Sequence, residues 1–162
     1  MMAKNLFLGI TILLGSLIGI GTMFPMSVSA GSIDCAGSSG ANICFGTSGD
    51  DTMIGDDGSN GINAKEGNDV INGKGGQDSL FGTEGDDLIY GGDGGDSLQG
   101  GTGNDRIFGG DGNDKIYHLV FESLSFDGKR DVIDCGAGND EVWINTSHDH
   151  DVAVNCETVH AG

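Results

Sequence analysis

Residues 46–117, cut every nine, read GTSGDDTMI, GDDGSNGIN, AKEGNDVIN, GKGGQDSLF, GTEGDDLIY, GGDGGDSLQ, GGTGNDRIF and GGDGNDKIY, with no insertion anywhere in the run. The fourth column is glycine throughout: Gly49, Gly58, Gly67, Gly76, Gly85, Gly94, Gly103 and Gly112. The eighth is always apolar (Met53, Ile62, Ile71, Leu80, Ile89, Leu98, Ile107, Ile116). The sixth is acidic with one exception (Asp51, Asn60, Asp69, Asp78, Asp87, Asp96, Asp105, Asp114). Three columns held through eight consecutive units mark a repeat architecture, in which each unit packs on its neighbours rather than around a common centre.

Each unit divides into two parts. Its first six residues are too rich in glycine and acid for strand or helix, and glycine allows the positive φ of tight turns. Its last three predict a short strand with one side chain directed inward. One apolar residue per unit makes a thin core, set against a backbone-ordering cost of roughly 1–2 kcal/mol per residue. Something besides hydrophobic burial must hold such a chain.

The units resemble the glycine- and aspartate-rich nonapeptides of the RTX, or haemolysin-type calcium-binding, repeat family. That resemblance implies an all-β fold, a parallel β-roll (a β-solenoid with two nonapeptides per coil) running turn, strand, turn, strand. Residues eighteen apart then lie one above another. Asp51, Asp69, Asp87 and Asp105 form one column, and Asn60, Asp78, Asp96 and Asp114 the other. Carboxylates stacked about 5 Å apart repel by a few kcal/mol per pair at an effective dielectric near 20. A hard dication between them reverses the sign, since calcium takes six to eight oxygens and bare glycine turns expose their carbonyls to it.

In the resembled family each ion sits between the turns of adjacent coils, held by one Asp from each and by turn carbonyls. Carried over to this chain, that implies three gaps per column and up to six Ca2+ ions. The carboxylate ligands are then Asp51, Asp69, Asp78, Asp87, Asp96, Asp105 and Asp114. The paired glycine is complete only in the last three units, so the expected carbonyl turns are Gly91, Gly92 and Gly94, then Gly100, Gly101 and Gly103, then Gly109, Gly110 and Gly112. The best gaps are expected at Asp87 with Asp105, Asp78 with Asp96, and Asp96 with Asp114. The gap at Asn60 has lost a carboxylate. In the unit of Asp69, Ala64 replaces the first glycine and Lys65 sets an ammonium beside the turn.

Outside the repeats, residues 1–30 read as a signal peptide: Lys4, an apolar run from Leu6 to Ile20, Pro25, and the small-residue cleavage site Val28-Ser29-Ala30. Its removal takes away one basic residue and no acid, so the mature chain is one charge more negative than the −18 of the whole. Such a polyanion disfavours nucleic acid and anionic membrane as partners, and none is expected after signal removal. Residues 31–45 form an N-terminal cap containing a faded repeat, GSSGANICF, with Cys44 in the inward column and Cys35 nine residues before it. These two face each other across the first coil and could bridge. Residues 118–130, with HLVFESLSF, read as an inserted loop or capping strand. Residues 131–162 resume the pattern, with Asp131 and Asp140 in the acid column and Ile133 and Val142 in the inward one. Cys135 and Cys156 are placed to tie adjacent coils, although four cysteines permit three connectivities. An exported chain favours disulfides over free thiols. Trp143 reads as a cap over the open core.

Chemistry is sparse elsewhere. His148-Asp149-His150-Asp151 has two imidazoles without a third ligand and reads as a polar turn before a transition-metal site. There is no nucleophile elbow, HExxH or phosphate loop, a narrow roll offers no obvious pocket, and the chain is not expected to be an enzyme. The reading is a secreted calcium-binding module whose ions are structural and whose folding depends on extracellular calcium. One alternative is an ice- or surface-binding solenoid, for which Ser48, Glu66, Glu84 and Thr102, beside Asp50, Asn68, Asp86 and Asn104, would be the presenting column. Another is an accessory module of a secreted enzyme or toxin.

Overall fold

The computed structural model describes residues 31–36, 42–117, 128–144 and 150–161. The segment read as a signal peptide, most of the segment read as an inserted loop, and the His148-Asp149 pair lie outside the described residues.

Among the described residues, fourteen strands alternate between two sheets. The first comprises β1 (Ser32–Asp34), β3 (Thr52–Ile54), β5 (Val70–Gly75), β7 (Leu88–Asp93), β9 (Arg106–Asp111), β11 (Val132–Ala137) and β13 (Val152–Val154), hydrogen-bonded in that order. The second comprises β2 (Asn42–Phe45), β4 (Asn60–Glu66), β6 (Ser79–Glu84), β8 (Ser97–Thr102), β10 (Lys115–Tyr117), β12 (Glu141–Ile144) and β14 (Thr158–Ala161). Every strand pair is parallel, and no described residue is helical. This is a parallel β-solenoid of about six turns, closed near each end by a disulfide.

Register follows the nine-residue period. Ile71 lies beside Ile89 and Ile89 beside Ile107, while Leu80 pairs with both Ile62 and Leu98. All eight residues of the eighth column have no exposed surface, and Ile133 and Val142 continue them into the last coils. The inserted segment lengthens one coil without disturbing this register: Ile107 pairs with Ile133, and Ile116 with Val142.

Strands β5 to β9 are six residues long, twice the three expected. They run on through the first three residues of the next unit because the second column takes a positive φ that bends the chain while its ladder partners stay in register. That column holds Lys65 (φ 80), Lys74 (φ 77) and Thr83 (φ 99), then Gly92, Gly101 and Gly110 at φ 112 to 119. The paired residues include Lys65 with Thr83 and Lys74 with Gly92. For an L-residue such a conformation costs about 1–2 kcal/mol, which glycine avoids.

Cys35 bonds Cys44 and Cys135 bonds Cys156. The first bridge joins the segment after β1 to β2, across the two sheets. The second ties β11 to the segment after β13, its neighbour in the same sheet. Trp143 does not close the core as expected. It follows the inward Val142, so the alternation of the strand turns it outward, where its ring stacks between Tyr117 (4.7 Å) and His160 (4.6 Å).

Candidate metal centre

The sixth-column residues stand where each turn enters its strand, and all are buried: Asp51, Asn60, Asp69, Asp78, Asp87, Asp96, Asp105 and Asp114 are at most 3% exposed. They are stacked as the eighteen-residue coil requires, and from Asp69 onward one oxygen of each carboxylate is used to stitch coils together. The backbone N–H of Asp69 donates to Oδ1 of Asp87 (2.8 Å), that of Asp87 to Asp105 (2.9 Å), that of Asp78 to Asp96 (2.9 Å) and that of Asp96 to Asp114 (2.8 Å). Asp51 donates to Asp69 (2.6 Å) and Asn60 to Asp78 (2.8 Å) in the same way.

The other oxygen is left bare. Oδ2 of Asp69, Asp78, Asp87, Asp96 and Asp114 is buried with no hydrogen-bond partner. A buried anionic oxygen without a donor costs several kcal/mol, so each position calls for a cation or a proton.

The first-column glycines show where that oxygen points. A Cβ on Gly82 would overlap Oδ2 of Asp87 and lie 2.6 Å from the Gly100 carbonyl oxygen, one coil on. On Gly91 it would lie 2.5 Å from Oδ2 of Asp96 and overlap the Gly109 carbonyl. On Gly73 it would meet Asp78 and the Gly91 carbonyl, and on Gly109 it would meet Asp114 and the Cys135 carbonyl. Carboxylate and carbonyl oxygen thus converge on a space that exists only because the side chain is hydrogen. That is a hard-oxygen cradle, the donor set calcium takes and softer metals do not. Among the described residues no group of three His, Cys, Asp or Glu side chains could hold a metal ion. Backbone carbonyls would therefore supply most of any shell here.

Not all turns are alike. Oδ2 of Asp51 already accepts from the N–H (2.6 Å) and hydroxyl (2.9 Å) of Thr47. Asn60 is tied to Asp56, accepting from its N–H (2.8 Å) and donating to its carboxylate (3.0 Å). Ala64, fully buried, carries a methyl where the other units have hydrogen. The second- and fourth-column glycines Gly92, Gly94, Gly101, Gly103, Gly110 and Gly112 all have positive φ, and Cβ atoms there would strike the backbone of the coil before.

Burial raises these carboxyls above their ordinary range. Asp69, Asp78 and Asp114 are pushed up to about 6 and Asp87 to about 7, chiefly by desolvation; an N–H bond from the preceding coil lowers each in part, and neighbouring carboxylates raise it further. Asp96 is raised by the same desolvation.

The columns run further than the site residues read from the sequence. Asp131, Asp140 and Asp151 are buried, and Glu157 ends the second column. Oδ1 of Asp140 accepts from the N–H of Asp114 (2.8 Å), while the N–H of Asp140 donates to Glu157 (2.8 Å). Asp131 accepts from Asp105 (2.8 Å) and donates to Asp151 (3.0 Å). The signal for Asp131 and Asp140 is their place in the acid column. Asp151 sits in sequence among histidines that mask it, and Glu157 carries no repeat around it.

Two surface features complete the picture. Asp50, Asn68, Asp86 and Asn104 form an exposed ladder whose oxygens each accept the N–H of the next coil, so this column is part of the scaffold. A hollow of about 490 Å³, where none was expected, is lined by Asp86, Asp87, Leu88, Asn104, Asp105, Arg106, Arg130 and Val132. It offers no Ser, Thr, Cys or His.

A family model described as RTX calcium-binding nonapeptide repeat (4 copies) matches residues 36–71, 63–98 and 90–119. No curated protein matches the chain.

Proposed function

The chain belongs to the RTX calcium-binding nonapeptide repeat family, and from that premise we propose that it is a secreted β-roll whose folding is coupled to extracellular calcium. Repeats of this family are structural rather than catalytic and typically extracellular. The single observation carrying the coupling is the row of buried Oδ2 atoms without a donor, recurring coil after coil.

Asp78, Asp87, Asp96, Asp105 and Asp114, with the carbonyls of Gly91, Gly100 and Gly109, would hold the ions. Calcium supplies positive charge and an oxygen-coordinating shell where the chain provides only anions and carbonyls. Asp69, with Ala64 in its turn, makes a weaker site, and Asp51 and Asn60 are engaged by Thr47 and Asp56. The residues themselves do two things. Each carboxylate fixes the preceding coil through Oδ1, and each first-column glycine keeps the space beside Oδ2 open.

Without cations the columns repel one another and the thin core has little to set against that. Because an ion bound only by the native state stabilises it by mass action, the chain would stay unfolded where calcium is scarce and fold after export. Two disulfides fit an oxidising compartment.

Circular dichroism of the chain with its disulfides formed, titrated with calcium and with magnesium as control, tests this. Disorder in chelator and β signal with calcium are expected. Magnesium's short octahedral shell suits a carbonyl-rich cradle poorly, so it should not substitute. A fully folded chain in excess chelator removes the coupling.

A further inference from the structure

The last glycine cradle is assembled across the insertion. Gly109 and Asp114 belong to the final perfect repeats, but the carbonyl facing them is that of Cys135, in β11. Asp114 is 1% exposed, and its Oδ2, aimed into this space, has no hydrogen-bond partner. In the preceding cradle of this column the facing carbonyl is a repeat glycine, Gly109 opposite Asp96. Here it comes from a residue whose side chain is locked to Cys156.

The surrounding backbone keeps the repeat geometry despite the longer connection. The N–H of Gly112 donates to the Ala137 carbonyl (2.8 Å), that of Glu141 to the Asp114 carbonyl (2.9 Å), and Gly136 repeats the positive φ of the second column at 97°. Beyond this point the series ends, because Cys135 occupies the first column of its own unit and brings a Cβ where glycine would leave space.

We propose that the cradle of Gly109, Asp114 and the Cys135 carbonyl is a calcium site that clamps the coils after the insertion onto the repeats, with the Cys135–Cys156 bridge as the positioning element for the carbonyl. The proposal rests on the calcium reading given above. It extends that reading past the last matched residue, 119, to a ligand outside the repeats. An ion here ties residues on both sides of the connection, so the terminal coils answer to calcium on their own account.

Trp143, the chain's one tryptophan, lies in β12, just past the insertion, and is stacked on Tyr117. It therefore reports this junction. In a calcium titration of the full chain, Trp143 emission and amide exchange over residues 132–144 should change with calcium, alongside the far-ultraviolet dichroism of the repeats. Gly109→Ala should raise the calcium midpoint of the Trp143 signal by tenfold or more, and further than it raises the dichroism midpoint of the repeats. Paired Cys135→Ser and Cys156→Ser should raise the Trp143 midpoint severalfold in the same sense.

Should Gly109→Ala not fold, terbium titrated into the unaltered protein replaces it: emission excited through Trp143 and displaced by calcium supports the site. Repeats that bind calcium while Trp143 and residues 132–144 stay silent, or a Gly109→Ala chain with an unchanged Trp143 midpoint, overturn the proposal and leave the repeat reading standing. A chain that binds no calcium by any readout overturns both.

Discussion

The coils of residues 46–84 and those of residues 91–114 follow one backbone path and differ in what they leave empty. In the first group the second column holds Lys65, Lys74 and Thr83 at φ 77 to 99, Ala64 fills a first-column space, and Thr47 and Asp56 hold the polar atoms of Asp51 and Asn60. In the second group glycine occupies both columns; Oδ2 has no partner in Asp96 and Asp114, as it has none in Asp69 and Asp78 of the first group. The roll tolerates a side chain in the second column; in the first column a Cβ meets the carboxylate oxygen of its own turn. The proposed ion sites therefore depend on atoms that are missing, and the turns of Asp51 and Asn60, whose polar atoms are already engaged, are scaffold for the later ones.

The largest effect is expected from filling an empty cradle. In Gly91→Ala the new Cβ meets the Asp96 carboxylate and the Gly109 carbonyl, backbone that has no room to retreat. A loss of about 2–3 kcal/mol in thermal or denaturant unfolding is expected, together with a calcium midpoint raised tenfold or more. The reverse change, Ala64→Gly, should lower the midpoint by opening a cradle beside Asp69. Equal midpoints in both variants would erase the distinction between the two groups of coils.

Next comes the charge. Asp96→Asn keeps an acceptor for the N–H of Asp78 and removes one anion, so it should raise the calcium midpoint by about tenfold, or about 1.4 kcal/mol, and yet lower the concentration of stabilising osmolyte needed to fold the chain in chelator. Asp51→Asn should move the midpoint less than twofold, because Thr47 already satisfies the oxygen an ion would use. Opposite signs, read from the calcium midpoint and from osmolyte-induced folding in chelator, distinguish an ion site from a purely structural carboxylate.

The pH dependence separates proton from metal. The carboxyls of Asp69, Asp78, Asp87 and Asp114 have native values near 6 to 7, above the ordinary 3.8, so the native state holds protons that the unfolded chain has released. Stability in chelator should therefore be greatest below about pH 4 and fall as pH rises through 6 to 7. With calcium the order reverses, since the ion binds the ionised form and is displaced by protons as pH falls. Osmolyte-induced folding in chelator and melts in calcium, each at several pH values, give both slopes. A metal-free fold that gains stability on going from pH 4 to pH 8 would contradict the desolvation of these columns.

The smallest effect concerns backbone alone. Thr83 is β-branched and held at φ 99; Thr83→Gly should stabilise the roll by about 1 kcal/mol, read alike from melts in calcium and from osmolyte-induced folding in chelator. A gain confined to calcium would mean that the second column serves the ion and not only the bend.

Much of the roll is legible in the amino-acid sequence. The nine-residue period tells which residues face inward, and Met53 through Ile116 are buried without exception because strand alternation is a local property. The same period places the acids in columns, and a faded copy is enough to locate Cys44, Asp131 and Asp140. Trp143 goes against its reading as a lid because its place in the strand outweighs its size: the residue after the inward Val142 has to face outward.

What the residues alone established is the direction of each side chain and the chemistry of the turns, since both follow from rules acting within a few residues. Which oxygens are satisfied and which are bare needed the assembled coils, because the partner of a carboxylate here lies eighteen or twenty-six residues away. The same holds for the φ of Lys65, Lys74 and Thr83 and for the carbonyl of Cys135 at the last cradle. Each is imposed by the stacking of one coil on the next, and no local preference predicts it.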